Sequence, residues 1–286
     1  MKPTLLSPTP PARTLAEALR HAQAAGLPRL EAQMLLLHLL GRPLHDRAWL
    51  LAHDTDALSP ACAPQWQALV QRRLAGEPVA YLTGCKPFHG LLLHVDARVL
   101  DPRDDTEVLV DWALDVLPAS GPPRVLDLGT GSGAIALALA HQRPDAQVAA
   151  IDASEDALAV ARANAVRLGL RVDWHHGHWL APVAGERFDV IASNPPYIAE
   201  GDAHLPALAH EPRAALVSGA DGLDDLRHII GTAPAHLAPG GWLLLEHGWD
   251  QAAAVRALLV AAGFGAVQSR QDLGGAERCS GGRWLA

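Results

Sequence analysis

Short apolar runs alternate with amphipathic helical segments through the second half of the chain, and this alternation constrains the fold more than any other feature. The runs with the length and composition of buried strands are RVLDLG (124–129), QVAAID (147–152), RVDWHH (171–176), FDVIAS (188–193) and GWLLLEHG (241–248). The segments between them have helical periodicity and include 132–142, 154–169 and 224–237. Apolar strands separated by helices predict a doubly wound, mostly parallel α/β sheet covered on both faces.

The two ends of this α/β region differ from its middle. Residues 105–117 (DTEVLVDWALDVL) predict a helix before the first apolar run. The last residues, 265–286, contain no helical pattern and predict a closing pair of strands. Together with the apolar runs, this pair predicts a seven-stranded sheet.

The first part of the chain predicts helices only, which we interpret as a small all-helical N-terminal domain spanning 1–82. Thr14 begins a capping-box pattern (TLAE), and Gly26 can end the helix that follows. Ser59 and Pro60 predict the N-cap and first position of another helix. Helices this short are expected to pack as a bundle because they are unstable alone.

The pattern changes near residue 80. YLTG (81–84) and LLLHVD (91–96) predict two strands around a turn. We interpret them as a hairpin that links the helical domain to the α/β domain. The predicted second domain, 83–286, therefore includes this linking hairpin.

Composition excludes several classes of protein. No run approaches the roughly 18 apolar residues that a membrane span needs, and 1–13 lacks an apolar stretch long enough for a signal-peptide core. The cysteines, Cys62, Cys85 and Cys279, are few and form no CxxC pair, which indicates a reducing cytoplasm rather than a disulfide frame or a thiolate metal site. The segment WHHGHW (174–179) contains adjacent histidines. Because adjacent residues of a strand point to opposite faces, we predict no metal site there.

Charge is unevenly distributed along the chain. The net charge of −8 divides into +2 for residues 1–84 and −10 for residues 85–286. An acidic main domain is unfavourable for general nucleic-acid binding, which needs clustered lysine and arginine. We therefore expect no direct nucleic-acid partner, and we predict a monomer.

A glycine-rich segment, VLDLGTGSGAIAL, leads from the first apolar run into a helix. Its residues 129–133, Gly129, Thr130, Gly131, Ser132 and Gly133, allow a ligand to approach the backbone at a helix N-terminus. Asp152, at the end of the next strand, is placed to bind two ribose hydroxyls. These residues alone leave a nicotinamide cofactor and S-adenosylmethionine about equally supported. Asp127 favours the latter slightly, since a pyrophosphate would be repelled by an acid before the glycines.

The fourth apolar run ends in SNPPYI, and we call Asn194, Pro195, Pro196 and Tyr197 the elbow. The elbow follows a strand of the parallel sheet and is therefore expected at the carboxyl edge, beside the glycine loop. Proline restricts the conformation of Asn194 and contributes no N–H donors, so the elbow presents acceptor oxygens. Such a pocket suits a planar NH2 group whose nitrogen is aimed at a methyl on sulfur. The side chain of Tyr197 can pack against the flat group.

These segments together resemble the class I S-adenosylmethionine-dependent methyltransferases, which have a Rossmann-like sheet and modify planar amino groups. More narrowly, the chain resembles the bacterial release-factor glutamine methyltransferases (the HemK/PrmC type). The resemblance covers nearly the whole chain and includes GEPVAYLTG, DPRDDTEVLVDWAL, EPRAALVSGADGLDDLRHII, EHGWDQAAAVRALLVAAGF and DLGGAERCSGGRW. It implies N5-methylation of the glutamine in the GGQ motif of peptide chain release factors, with the helical domain helping to hold the protein substrate.

The resemblance also implies roles for individual residues. Residues 129–133 and Asp152 would bind the cofactor, Trp179 would pack near its adenine, Asn194 would contact both cofactor and substrate, and residues 195–197 would hold the glutamine. The chain departs from the family pattern at two positions. Asp104 stands where the family usually has proline, which we expect to alter a loop near the site. His178 replaces the usual acid before the tryptophan, which we expect to weaken a hydrogen bond to the adenine amine.

Two groups of alternatives stay open on the residues alone. The same chemistry suits a glutamine of a ribosomal protein or an exocyclic amino group of adenine or guanine, although base-modifying enzymes usually have basic surfaces. A nicotinamide-dependent oxidoreductase or a non-catalytic nucleotide-binding module is also consistent with the glycine loop.

Overall fold

The structure, a computed structural model, describes residues 12–285. The opening residues, in which the sequence predicts no signal-peptide core, fall mostly outside this range. Contacts divide the chain into two units, of which the first ends at Thr83 and the second begins at Gly84.

The first unit is helical throughout its described part. Its helices are α1 (Leu15–Ala24), α2 (Arg29–Leu39), α3 (Arg47–Ala52), α4 (Ala63–Leu74) and α5 (Val79–Thr83). Leucines of α1 and α2 pack with Trp66 of α4 in one buried cluster. The Thr14 cap is confirmed, because its hydroxyl accepts a hydrogen bond from the Glu17 amide at 3.2 Å. Gly26, at φ +105°, follows the end of the same helix, as predicted.

The predicted start of α4 is wrong. Ser59 and Pro60 lie in a turn, and the helix begins at Ala63. Pro64 explains the difference, since a helix starting at Pro60 would need an N–H at Pro64 to bond the carbonyl four residues earlier. The Ser59 hydroxyl instead accepts from the Ala61 amide at 3.3 Å.

The linking hairpin lies later in the sequence than predicted. Residues Val79–Thr83 form α5, so YLTG is helical rather than a strand. Pro78 directly precedes this helix, and its carbonyl accepts from the Leu82 amide at 3.1 Å. The hairpin consists of β1 (Cys85–Phe88) and β2 (Leu91–His94), joined at His89 and Gly90, both at positive φ. Positive φ at both central positions is typical of the tight turns that match the twist of a hairpin.

The second unit contains the predicted seven-stranded, mostly parallel sheet. Its strands are β3 (Arg124–Leu128), β4 (Gln147–Asp152), β5 (Asp173–His176), β6 (Phe188–Ser193), β7 (Leu237–Glu246), β8 (Gly265–Gln271) and β9 (Glu277–Arg283). Their order across the sheet is β5-β4-β3-β6-β7-β9-β8. Strands β3 to β7 are parallel, and β8 and β9 form the predicted closing antiparallel pair.

Helices flank the sheet. They are α6 (Glu107–Val116), α7 (Ala134–Gln142), α8 (Glu155–Leu168), α9 (Asp224–Thr232) and α10 (Ala252–Ala261). Every residue of α7 from Ala134 to Ala140 is buried, which explains why this segment is apolar on all sides. The predicted helix 224–237 ends early, because Pro234 cannot continue it; a short 3-10 turn follows, and β7 starts at Leu237.

The order of the strands reverses between β3 and β6. Chain connections run outward from β3 through β4 to β5, and then return to β6 on the other side of β3. In open α/β sheets, ligands bind outside the carboxyl ends of the strands at such a switch point. The glycine loop follows β3 and the elbow follows β6, so both lie at this point.

Candidate functional site

A cavity of about 420 Å³ opens at the switch point. Its walls include six of the residues that the sequence singled out, namely Gly129, Gly131, Asp152, Trp179, Asn194 and Pro196. These residues lie at or just after the carboxyl ends of β3, β4, β5 and β6, so four parallel strands bring them to one edge of the sheet. The volume lies within the roughly 300–1,000 Å³ of small-molecule sites.

The glycine loop adopts a conformation that other residues rarely reach. Gly129, Gly131 and Gly133 have φ values of +70°, +55° and +85°. A Cβ on Gly133 would lie 2.9 Å from Leu137, whereas a Cβ on Gly131 would meet nothing within 4 Å. Gly133 therefore permits close packing of α7, and Gly131 leaves its space to the cavity.

Asp127 lies behind the glycine loop and does not line the cavity. It is fully buried, and its Oδ2 accepts from Thr130 Oγ1 at 2.6 Å and from the Ala136 amide at 3.1 Å. Thr130 and Ser132 are buried too. Burial raises the pKa of Asp127 to about 7, although its two hydrogen bonds oppose this shift. The structure thus gives Asp127 a direct role in shaping the loop.

Asp152 faces the cavity from the end of β4. Its Oδ2 accepts from the Gly131 amide at 2.8 Å, and its Oδ1 accepts from the Ser154 amide at 2.9 Å. Burial raises the pKa of this carboxyl, and hydrogen bonds from backbone amides, first that of Ser154, counteract the rise. Because a carboxylate has about four acceptor sites, two remain for ligand hydroxyls.

Trp179 forms another wall in a strained backbone conformation, with φ at +47°. Its ring lies against the glycine loop, since a Cβ on Gly129 would be 3.5 Å from it. The indole Nε1 is buried and has no hydrogen-bond partner among residues 12–285. Strained residues with unpaired donors concentrate at ligand sites. The neighbouring His178 also lines the cavity, with its ring 5.4 Å from the indole.

The elbow is anchored at both ends. Before it, Ser193 is paired with Leu128 across the parallel strands, and its hydroxyl donates to the Leu128 carbonyl at 2.7 Å. After it, Gln251 Nε2 donates to the Tyr197 carbonyl at 3.0 Å. Between these anchors, Asn194 Nδ2 donates to Thr106 Oγ1 at 3.3 Å. The elbow is therefore held close to the glycine loop.

A second cavity, of about 160 Å³, adjoins the elbow. Tyr197 lines this smaller cavity, whereas Asn194 lines both cavities. Leu100 and Ala215 are likewise shared. Asn194 is thus the polar side chain between a large cavity built around the glycine loop and a small one built around Tyr197. Pro195, the first proline of the elbow, is buried.

Glu246 ends β7 beside the elbow and is 1% exposed. The hydroxyl of Tyr197 donates to its Oε1 at 3.4 Å. Burial raises the pKa of Glu246 to about 7, against the hydrogen bond from Thr106. Burial also raises the pKa of Tyr197, with the Glu246 carboxylate adding to the effect, so this tyrosine carries its proton.

Sequence reasoning missed several parts of the site. The sequence assigns no site role to residues 98–100, Pro212, Ala214 or Ala215, yet they line the large cavity, because long-range folding brings them there. Glu211 joins these two segments, because it accepts from the Asp101 amide at 3.1 Å and from Arg103. Glu246 had a readable signal, since an acid at the end of an apolar strand resembles Asp152 at the end of β4.

Of the two positions that depart from the family pattern, His178 lines the large cavity. The other is Asp104. Asp104 lies in a short 3-10 turn before α6 and pairs with Lys86 of β1 at 2.9 Å.

In residues 12–285, no group of three or more histidine, cysteine, aspartate or glutamate side chains could hold a metal ion. Across the same residues, no helix is both long and apolar enough to cross a membrane.

The switch-point cavity, the glycine loop and the acid ending β4, on a seven-stranded sheet with an antiparallel closing pair, define a nucleoside-binding methyltransferase. Residues 106–268 match the sequence model of the Methyltransferase small domain, and residues 13–84 match that of the PrmC N-terminal domain. A methyltransferase from Pyrococcus furiosus has the same fold, with a TM-score of 0.54 at 19% identity over 78% of this chain and 98% of that one.

Curated relatives are similar over nearly their whole length. The release factor glutamine methyltransferase of Bordetella pertussis is 56% identical over 260 residues, which cover 90% of this chain and 95% of that protein. The protein of the same name from Xylella fastidiosa (strain Temecula1) is 51% identical, over 93% of this chain and 97% of its own. The chain belongs to the release factor glutamine methyltransferase family.

Proposed function

We propose that the protein transfers the methyl group of S-adenosyl-L-methionine to the side-chain amide N5 of the glutamine in the GGQ motif of peptide chain release factors. One observation carries this proposal: Asn194 forms part of the wall of both cavities. A cofactor in the larger cavity and a carboxamide in the smaller one would meet at this side chain. The names of the similar proteins supply the release factor as substrate.

The residues of the larger cavity fit the cofactor. Asp152 has acceptor sites for the two ribose hydroxyls, and Gly129 and Gly131 leave space for close approach to the backbone. The ring of Trp179 offers a stacking surface for the adenine. Residues 129–133 would therefore hold the cofactor with Asp127 supporting them. S-adenosyl-L-methionine supplies an electrophilic methyl group.

The elbow would bind the glutamine carboxamide. Acceptor oxygens of Asn194 and Pro195 can each take one N–H of the amide, which fixes the direction of its nitrogen. The amide nitrogen gains positive charge as it gains the methyl group, and fixed dipoles stabilise that charge by about 3 kcal/mol each, by analogy with an oxyanion hole. Pro196 and Tyr197 would flank the flat group. The proton released passes to water.

The remaining parts of the proposal concern partners and location. We propose that the helical domain, predicted as residues 1–82, helps to recognise the release factor. It carries a net charge of +2 over residues 1–84, in contrast to −10 for the rest. We also propose that the enzyme acts as a monomer in the cytoplasm and binds no nucleic acid directly.

A label-transfer assay tests the proposal directly. The purified protein is incubated with methyl-labelled S-adenosylmethionine and a release factor, and we expect the factor to be labelled. Matched release factors with Gln→Ala or Gln→Glu in the GGQ motif are the controls, and both should remain unlabelled. Label that persists in either control would contradict the assigned substrate.

The alternative functions give different results in the same experiments. Salt-sensitive transfer of label to RNA or DNA would indicate a base-modifying enzyme. Isothermal calorimetry with S-adenosylhomocysteine and NADH separates the cofactor classes, since we expect binding of the former only. Binding of NADH alone would indicate an oxidoreductase.

A further inference from the structure

The side chain of Gln251 reaches the end of the elbow from the loop between β7 and α10. Gln251 directly precedes α10, at a position where serine, threonine, aspartate or asparagine usually caps a helix with its side chain. The Gln251 side chain makes no capping hydrogen bond. It is half-buried, and its amide donates to the Tyr197 carbonyl instead. The side chain therefore serves the elbow rather than the helix.

Tyr197 and Ile198 share a peptide group that is hydrogen-bonded on both sides. Its N–H, from Ile198, donates to the Leu216 carbonyl at 2.9 Å. Its C=O, from Tyr197, accepts from Gln251 Nε2 at 3.0 Å, and no other donor among residues 12–285 reaches this oxygen. Tyr197, Ile198 and Leu216 all line the smaller cavity. One side chain outside that cavity thus fixes a peptide group in its wall.

The orientation of the Gln251 amide is set by groups that cannot exchange roles. The backbone N–H of Gly248 can only donate, and it donates to Gln251 Oε1 at 2.8 Å. The Tyr197 carbonyl can only accept, so it faces the Gln251 NH2 group. The Gly222 carbonyl, 3.4 Å from the same nitrogen, also accepts. Rotation of the amide by half a turn would bring donor against donor and acceptor against acceptor.

The loop that carries Gln251 is tied to β9. His247 is fully buried, and burial lowers its pKa, so its ring is neutral. Its Nδ1 donates to the Gly248 carbonyl at 2.9 Å, because a carbonyl can only accept. Its Nε2 therefore accepts from the Ser280 hydroxyl of β9 at 2.7 Å. These contacts hold Gly248 in place, with its N–H directed at the Gln251 side chain.

Gly222, just before α9, brings a third segment against the same carbonyl. Its φ is +76°, and a Cβ there would lie 2.3 Å from the Tyr197 carbonyl oxygen and 2.9 Å from Gln251 Nε2. Atoms do not approach a Cβ this closely in folded proteins, so only glycine lets the chain pass here. The carbonyl end of the elbow is thus enclosed by the residues that precede α9 and α10.

We propose that Gln251 is a positioning residue of the methyl transfer, because its amide fixes the Tyr197 carbonyl and through it the elbow that holds the substrate carboxamide. We call the contacts of Gln251 with Tyr197, Gly222 and Gly248 the latch. Neither Gln251 nor Gly222 lines either cavity, so both act through Tyr197. The inference rests on the proposed function for the role of the elbow. Misplacing a reacting group by about 1 Å can cost roughly a hundredfold in rate.

Gln251→Glu tests the latch with almost constant side-chain volume. The new carboxylate still accepts from Gly248, but it has no donor for Tyr197 or Gly222. We expect kcat to fall at least tenfold while the KM for S-adenosylmethionine stays unchanged, because Gln251 lies outside the larger cavity. Lowering the pH protonates the new carboxyl and restores a donor, so kcat relative to the wild type should rise as pH falls.

The control for the added charge is Gln268→Glu, at an exposed position of β8 at the far edge of the sheet. It should retain the wild-type kcat at every pH. A wild-type kcat in Gln251→Glu, or a loss that does not depend on pH, would overturn the proposal.

Gly222→Ala and Gly185→Ala test the same contact by steric displacement. Their φ values of +76° and +82° are similar, so the backbone strain of an alanine should be similar too. A Cβ on Gly185 would meet nothing within 4 Å. We expect kcat to fall at least tenfold in Gly222→Ala and to stay unchanged in Gly185→Ala. Equal kcat values in the two variants would contradict the latch. If Gly222→Ala fails to fold, Gln251→Glu still decides.

Nuclear magnetic resonance separates this proposal from the substrate assignment. The chain has two tyrosines, Tyr81 and Tyr197, so protein made with 13C-labelled tyrosine gives two sets of ring signals, which Tyr81→Phe assigns. Without any substrate, we expect Gln251→Glu to shift the Tyr197 signals and leave those of Tyr81 in place. Unchanged Tyr197 signals would overturn the latch even if release factors are methylated. A wild-type protein that labels no release factor, but whose Tyr197 signals shift as expected in the variant, would overturn only the substrate.

Discussion

The hydroxyl of Ser193 donates to the carbonyl of Leu128 at 2.7 Å across the switch point of the sheet. Gly129 follows one of these residues, and Asn194 follows the other. The bond therefore ties the start of the glycine loop to the start of the elbow. The distance between the two proposed binding elements depends on this contact as well as on the β3–β6 ladder.

Ser193→Ala should reduce both stability and turnover. The buried Leu128 carbonyl loses its side-chain partner, which costs about 1–3 kcal/mol of unfolding free energy, and we expect a several-fold lower kcat. Ser269→Ala is the matched control, because Ser269 lies on β8 at the far edge of the sheet, where its hydroxyl accepts from Arg256 of α10. It should lower stability without lowering kcat. A Ser193→Ala enzyme with wild-type kcat would contradict the alignment role. Chemical denaturation and steady-state kinetics measure the two effects.

Gly131→Ala should weaken cofactor binding more than it weakens the fold. Gly131 and Gly169 have similar positive φ values, +55° and +68°, and a Cβ on either would meet nothing within 4 Å. The backbone strain of an alanine, about 1 kcal/mol, should therefore be similar at both positions. Only Gly131 lines the cavity. We expect the Kd for S-adenosylhomocysteine, measured by calorimetry, to rise about tenfold in Gly131→Ala and to stay unchanged in Gly169→Ala. Equal affinities in the two variants would remove Gly131 from the proposed site.

Asn194→Ala should mainly lower turnover, whereas Asn164→Ala should mainly lower stability. Asn194 makes one long hydrogen bond, so we expect its loss to change the unfolding free energy by less than about 1 kcal/mol while kcat falls at least a hundredfold. Asn164 is fully buried and joins His94 of the hairpin to the Ser132 carbonyl. Its replacement should cost several hydrogen bonds and markedly lower the denaturation midpoint. A similar loss of folded protein in both variants would indicate a structural role for Asn194.

Asp127 should make the protein less stable as pH rises. Its pKa is about 7 in the folded protein and 3.8 ordinarily, so between these values the unfolded chain has released a proton that the fold retains. The unfolding free energy of the wild type therefore falls between about pH 4 and pH 7, by at most about 1.4 kcal/mol per unit. Asp127→Asn lacks this contribution, and its stability relative to the wild type should increase across that range.

Urea denaturation at several pH values measures the Asp127 effect. Glu246 has a similarly raised pKa and remains in both proteins, so the comparison isolates Asp127. Asp54→Asn, at an exposed position in the first unit, is the control and should run parallel to the wild type. A constant difference between Asp127→Asn and the wild type would contradict the raised pKa.

The sequence predicted the sheet and the glycine loop because both depend on local patterns. Apolar strands such as FDVIAS are recognisable alone, and their alternation with helices predicts a mostly parallel sheet. The predicted start of α4 is wrong because Pro60 and Pro64 both suit the first turn of a helix. A helix that began at Pro60 would lack the hydrogen bond from the nitrogen of Pro64.

The network around the elbow could not be read from the sequence. Thr106 and Glu246 lie 140 positions apart in the chain, and no spacing rule connects the end of β7 to the residue before α6. Their contacts with Asn194 and Tyr197 appear only when three segments meet in space. The role of Ser193 likewise depends on its partner across the sheet rather than on its neighbours in sequence.

The shared position of Asn194 between the two cavities has a consequence for inhibitor design. A molecule that joins an adenosine-like part to a carboxamide mimic through a linker about one methyl group long could occupy both cavities at once. Because the two parts are linked, binding of one part raises the effective concentration of the other part at its own cavity. Selectivity over other nucleoside-dependent enzymes would come from the smaller compartment, where Tyr197 limits what can enter.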